Sequence, residues 1–222
     1  MEKVVVSLGG SVINPGTINT RFLHQFCTII RRHGRKRQIV IVTGGGQPAR
    51  MYMATVREKG SYIQDTLGIA CTQLHALLIS RLLGLKQPVP RTMKELTKLL
   101  KNSPIVVCGG FLESPGTTSD GTAAEVARII GAKRFINITN VQGLFTKDPR
   151  KHKDATLVRS LSHDRFQTVI QKHKLKPGQH FILDIHAAQI CREERIQICI
   201  LTGVRNFIKA LENKSFTGTV IS

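Results

Sequence analysis

Val4-Val5-Val6-Ser7-Leu8-Gly9-Gly10-Ser11 opens the chain with an apolar, β-branched run that ends in a glycine turn. The pairing recurs. Ile39 to Val42 leads into Thr43-Gly44-Gly45-Gly46, Ile105 to Cys108 into Gly109-Gly110, and Phe135 to Ile138 into Thr139-Asn140-Val141-Gln142-Gly143. Runs this short and this apolar predict strands buried on both faces of a parallel sheet. Glycine after such a strand lets the backbone approach an anion and aim its N–H groups at it. Ligands of open α/β sheets sit at the carboxyl ends of the strands. Several phosphate-sized turns on one rim therefore point to phosphoryl transfer.

Helix patterns fill the gaps between these strands. Leu23, Phe26, Cys27 and Ile30 fall at i, i+3, i+4 and i+7, with Asn19 or Thr20 as the cap. Pro48 sits where a helix opening after Gly46 tolerates it. Leu67, Cys71, Leu74, Leu78 and Leu82 predict a core helix from about Gln64, and Met93 to Leu100 another. Thr122 to Ile130, Ser162 to Lys172 and Ile185 to Glu194 read as helices, Ile196 to Leu201 as a buried strand, and Gly218 to Ile221 as a short closing strand. Residues 146–158 read as a loop. The alternation predicts a three-layer αβα sandwich around a mainly parallel sheet. It forms one domain, with an acceptor half over about 1–138 and a nucleotide half over about 139–222.

With 222 residues and 41% hydrophobic content, the chain suffices for a full core. No apolar run approaches the roughly 20 residues of a membrane span, and the opening strand leaves no room for a signal peptide. Cys27, Cys71, Cys108, Cys191 and Cys199 lack CxxC spacing. They read as reduced, buried thiols of a cytoplasmic protein rather than zinc ligands. The formal charge of +19 is concentrated at Arg31 to Arg37, Arg150 to Lys153 and Lys172 to Lys176. Nucleic acid is one reading of that charge. Solvated helix ends that attract anionic nucleotides are the favoured one, because no aromatic residues interleave the clusters.

No P-loop G-x-x-x-x-G-K-[ST] occurs. The ordered series comprises the GGS turn, Gly44-Gly45-Gly46-x-x-Ala49-Arg50, Asp65-x-x-Gly68-Ile69-x-x-Thr72, and Gly109-Gly110 with Gly116-Thr117-Thr118-Ser119-Asp120. Thr139-Asn140-Val141-x-Gly143-Leu144-Phe145-Thr146-x-Asp148-Pro149 and Asp184-x-x-Ala187-Ala188 complete it. Over residues 3 to 221 the series resembles the amino-acid-kinase superfamily, most closely its archaeal-type uridylate kinases. The resemblance implies ATP·Mg²⁺-dependent phosphorylation of UMP to UDP, usually in a homohexamer.

It also implies roles. Gly9, Gly10 and Ser11 would serve ATP phosphate, Gly45 the UMP phosphate, and Gly46 and Arg50 the transferring phosphate. Asp65 would bind the UMP ribose, and the loop Phe111, Leu112, Glu113, Ser114, Pro115, Gly116, Thr117, Thr118 and Ser119 would cradle UMP, with Asp120 capping the helix that follows. Thr139, Asn140, Phe145 and Asp148 would hold the adenosine, and Asp184 would align cationic groups for transfer. No residue is singled out as a resident metal ligand.

Some positions depart from the pattern. Ser7 stands where many superfamily kinases carry lysine, which leaves Arg50, Mg²⁺ or another basic group to supply the cation. Gln142 replaces Asp, Phe145 replaces Tyr, and His75 stands where Asn is frequent and reads as a satisfied core or subunit-contact histidine. The unfamiliar segment Phe111 to Pro115 keeps other acceptors open, including a carboxylate or an isoprenoid phosphate. A non-catalytic nucleotide sensor and an RNA-binding protein on a kinase scaffold are the remaining alternatives.

Overall fold

A computed structural model describes residues 1–113, 116–149, 151–173 and 183–222. In chain order the elements are β1 (Glu2–Leu8), α1 (Gly10–Ile13), α2 (Thr20–His33), β2 (Arg37–Thr43), α3 (Gly46–Thr55), α4 (Ser61–Leu82), α5 (Met93–Leu100) and β3 (Ile105–Cys108). There follow α6 (Ser119–Ile130), β4 (Arg134–Ile138), β5 (Ser160–Leu161), α7 (His163–His173), α8 (Ile185–Glu193), β6 (Gln197–Leu201), α9 (Val204–Leu211) and β7 (Gly218–Ile221). The strands form one sheet in the order β3-β2-β1-β4-β6-β7-β5. All pairings are parallel except β6 with β7. The chain leaves β1 toward β2 on one side and returns to β4 on the other. The carboxyl ends of β1 and β4 thus flank the crevice where α/β sheets bind ligands.

Alternation along the strands sorts the core into two layers. Val5, Val40, Val106, Phe135 and Ile198 pack with α5, α6, α7 and α8. Val4, Val6, Ile39, Ile41, Ile136 and Cys199 pack with α2, α4 and α9. The Asn19 side chain caps α2, accepting from Phe22 N–H at 3.3 Å, and Gly131 closes α6 in the left-handed conformation. The sandwich and the parallel sheet stand as the sequence predicts.

Three details differ. First, α4 keeps part of the expected stripe inward, with Cys71 buried and Leu78 and Leu82 half-buried against the core, but departs from it at Leu74. Leu74 is 65% exposed, while Thr72, His75, Ala76, Ile79 and Ser80 face inward with Cys71. The inward face must meet backbone carbonyls and N–H groups of neighbouring turns, so polar side chains outcompete leucine there. Second, β7 runs antiparallel, and α9, which the sequence reading leaves unassigned, makes the return possible. Third, the two-residue β5 follows directly on the predicted loop, a strand the sequence reading leaves unassigned, and the loop itself is pinned by a bridge between Phe145 and Leu157.

Phe207 of α9 stacks on Phe26 of α2 with ring centroids 5.2 Å apart, both fully buried. Phe207→Ala is expected to cost about 3–5 kcal/mol through reduced burial and the cavity left behind. A fall in the urea midpoint at unchanged slope checks this.

Candidate active site

The glycine turns touch one another. Gly9 N–H donates to Ile138 C=O at 2.9 Å, joining the end of β1 to the end of β4. A Cβ on Gly10 would lie 2.6 Å from Gly46 Cα, and Gly46 itself has φ +66°. These glycines are needed for turn-on-turn packing as well as for close approach to a ligand. His75 Nδ1 lies 2.8 Å from the Gly44 carbonyl and is buried, so the satisfied-core reading of His75 holds in this chain. Thr43 Oγ1 donates to Thr72 C=O at 2.8 Å. Thr72 Oγ1 accepts from Gly110 N–H at 2.8 Å, and Gln73 Nε2 donates to Gly110 C=O at 2.8 Å. The polar face of α4 therefore holds the second and third turns in place.

Beside these turns stand two carboxylates. Asp184 caps α8, accepting from Ala187 N–H at 2.7 Å, and its other oxygen accepts from the Thr118 hydroxyl. Thr118 in turn caps α6, accepting from Gly121 N–H at 3.0 Å. Thr118 thus takes the capping role expected of Asp120. Asp120 turns inward instead. Its carboxylate accepts from Ser7 Oγ at 2.7 Å and from Asn137 Nδ2 at 3.4 Å. Burial, with the Asp184 charge as a second cause, pushes the Asp120 carboxyl up to about 6, although the Ser7 and Asn137 hydrogen bonds pull it partly back. Sequence reasoning missed this role. The only sequence signal was a serine in place of a lysine.

A hollow of about 470 Å³ opens next to this pair, lined by Gly116, Thr117, Thr118, Asp184, Ile185 and His186. His186 is braced by Glu125, with Nε2 to Oε1 at 3.2 Å. The start of α6 and the start of α8 converge here, so two helix N-termini favour negative charge at its mouth. Asp65 of α4 reaches the same loop: its Oδ2 lies 4.0 Å from where a Cβ on Gly116 would be. Ser119 is the first residue of α6.

The other positions are more dispersed. Gly9 precedes α1, while Gly10 and Ser11 lie in its first turn, and Gly45 and Gly46 open α3. Arg50 is exposed on α3 with no hydrogen bond or ion pair among the described residues. The Phe111 ring belongs to the core, Leu112 is exposed, and Glu113 lies on the surface near α5. Ser114 and Pro115 lie outside the described residues. Thr139 N–H donates to Leu201 C=O at 3.0 Å, and Thr139 Oγ1 donates to Asn140 Oδ1 at 3.4 Å. The segment beyond them is anchored by buried Thr219, whose Oγ1 accepts from Leu144 N–H at 2.8 Å and donates to Val158 C=O at 2.6 Å. Asp148 C=O accepts from Lys151 and His152 N–H at 3.1 and 3.0 Å. Among the described residues no cluster of three or more His, Cys, Asp or Glu could cage a metal.

Comparison with known proteins identifies the family of the chain. The sequence profile of the amino acid kinase family matches residues 2–202. A uridylate kinase from Archaeoglobus fulgidus is 36% identical over 224 residues, covering 99% of this chain and 100% of that one. One from Thermoplasma volcanium is 34% identical, covering 99% and 97%. The crystal structure of uridylate kinase from Archaeoglobus fulgidus superposes with a TM-score of 0.87 at 33% identity, covering all of both chains. Matched by that profile over residues 2–202 and by these relatives over almost its whole length, this chain belongs to the amino acid kinase family.

Proposed function

We propose that the chain phosphorylates UMP with ATP, giving UDP and ADP. The observation that carries this reading is the Thr118–Asp184 contact between the caps of α6 and α8 at the mouth of the hollow, in a chain whose similarity to uridylate kinases runs end to end. A UMP phosphate oxygen forms the new bond to the γ-phosphorus as the bond to the β,γ-bridging oxygen breaks and ADP leaves. The attacking oxygen is already ionised, so alignment and charge stabilisation dominate over general-base chemistry.

The chain's own groups divide that work. The N-termini of α6 and α8, with the Thr117 and Ser119 hydroxyls, receive the acceptor phosphate. Asp65 accepts from ribose hydroxyls. Gly10 and Ser11 present backbone N–H groups to ATP, Gly9 shapes their turn through its bond to Ile138, and Thr139, Asn140, Phe145 and Asp148 hold the adenosine. Ser7 is spent on Asp120, so it donates nothing to substrate. Arg50, unpaired among the described residues, is the free cation for the transferring group. Mg²⁺ fits a site with two carboxylates and, among the described residues, no three-residue cage, since it is held by one or two carboxylates plus substrate phosphates. Asp184, with Asp120 beneath it, would be its protein ligand, and the ion would neutralise β- and γ-phosphate oxygens.

Residues 1–138 form the acceptor half in this reading, and 139–222 the nucleotide half. The outward face of α3 and α4 carries Met51, Tyr52, Tyr62, Ile63, Leu74 and Leu77, all exposed. Such a face calls for a protein partner, and a second copy of the chain within a homohexamer would cover it. A reducing cytoplasm suits the five buried free thiols. Burial pushes Cys27 and Cys199 up to about 11 and Cys191 up to about 12, which disfavours the reactive thiolate.

A coupled assay should show UMP turned over in preference to dUMP and uridine. Asp65→Asn should narrow the gap between UMP and dUMP, chiefly through KM. Equal turnover of uridine would sink the reading, since the acceptor phosphate would then be dispensable.

Asp184→Asn should lower kcat by about 10²-fold or more while ATP and UMP affinities change far less. Near-normal turnover in a folded variant would leave Asp184 as a helix cap only.

For Asp120, the folded state holds the carboxyl proton more tightly than the unfolded state, where its pKa is about 3.9. The stability it contributes is therefore complete below about pH 4 and is lost as pH rises through about 6. Asp120→Asn should flatten that stretch of the stability profile and raise the melting temperature at pH 7, while lowering turnover about tenfold or more. A lower melting temperature at pH 7 would contradict this assignment.

A further inference from the structure

A parallel sheet has two unlike rims. The upper one, at the strand carboxyl ends, holds the glycine turns and the carboxylates. At the opposite rim the chain enters β1, β2, β3, β4 and β6, and α2, α5, α6 and α8 end beside those entries. Charges that look scattered in the sequence meet there. Arg32 lies in the last turn of α2, Arg35 and Lys36 between α2 and β2, Lys101 between α5 and β3, Lys133 between α6 and β4, and Arg195 between α8 and β6. All six are exposed.

The acidic residues nearest the middle of this rim are already occupied. Glu2 is paired with Arg37 at 2.6 Å and with buried Arg134. Glu212 is paired with Lys214 at 2.8 Å and faces His33 at 3.9 Å. Glu193 and Glu194 stand only at the Arg195 end, where Gln189 Nε2 donates to Glu193 at 2.8 Å. The excess is therefore positive and is densest at the turn between α2 and β2. A helix macrodipole stabilises a cation within the last turn by about 0.3–1 kcal/mol. That accounts for Arg32 but not for residues beyond the helix ends, such as Arg35, Lys36, Lys133 and Arg195.

We propose that this rim docks the phosphodiester backbone of a nucleic-acid duplex, without sequence preference and apart from the kinase site. The five strand entries span roughly 20 Å at about 4.8 Å per strand, the length of about six base-pair steps at 3.4 Å each. The named rim cations carry no aromatic side chain between them for stacking on bases, so the protein meets phosphates rather than bases. An anionic bilayer is the weaker fit, because most of the exposed large apolar side chains lie on α3 and α4, against Met1 and Ile129 near this rim.

The test measures binding of the full chain to labelled DNA and RNA duplexes of about 20 base pairs across a salt series. It compares the native protein with the triple variant Arg32→Ser, Arg35→Ser, Lys36→Ser. The native protein should bind both duplexes alike. The triple variant should bind at least tenfold more weakly at low salt, with the log–log salt slope shallower by about 3, at roughly 0.9 for each phosphate no longer neutralised. Its melting temperature and UMP turnover should stay native. If that variant does not fold, Lys101→Ser with Lys133→Ser should make the slope shallower by about 2. Four results would each overturn the proposal: no duplex binding at low salt, a slope unchanged by the variants, displacement of the duplex by ATP with UMP, or binding to phosphatidylserine vesicles without binding to duplex.

Discussion

The Asp120 carboxylate is the point through which the catalytic rim is assembled. Ser7 donates to it from β1 and Asn137 from β4, so one side chain on α6 spans the crevice between the two central strands. A carboxylate in this position costs stability at neutral pH, because burial and the neighbouring Asp184 charge both disfavour ionisation. The two donors offset part of that cost. The serine in place of lysine thus has a structural account: Ser7 is fully buried beneath the turn and is spent on Asp120.

Around that point the architecture is one of backbone contacts. Gly10 lies against Gly46, Gly9 hydrogen-bonds Ile138, and Gly109 and Gly110 rest on Thr72 and Gln73 of α4. Side chains larger than hydrogen would separate the turns and widen the site. The same demand explains why α4 turns Thr72 and His75 inward. Buried carbonyl and N–H groups of a turn need partners, and a leucine supplies none. Leu74 and Leu77 are left outward on a face that suits another protein surface.

The sheet's polarity separates two electrostatic regimes. Helix N-termini and glycine turns gather at the upper rim, where phosphate charge is transferred. Helix C-termini and strand entries gather at the lower rim, together with much of the basic surplus of a chain carrying +19. Because both follow from strand direction, the two regimes lie at opposite ends of one molecule.

The sequence by itself determined the elements whose signal is local. β-branched runs ending in glycine specify β1 to β4, 3.6-residue apolar spacing specifies α2, α5 and α6, and the ordered turns specify the family. Thr118, Asp184 and the glycines were legible as candidate site residues because their chemistry lies in their own turns. The tertiary structure alone decided what depends on partners distant in sequence. Ser7 and Asp120 are 113 residues apart, so neither residue's neighbours reveal that they hydrogen-bond. The inward polar positions of α4 were set by turns it does not adjoin in sequence, overriding its leucine pattern at Leu74. The reversal of β7 and the gathering of cations on one rim arise only when seven strands take their order, because charge and hydrogen bonding act through space rather than along the chain.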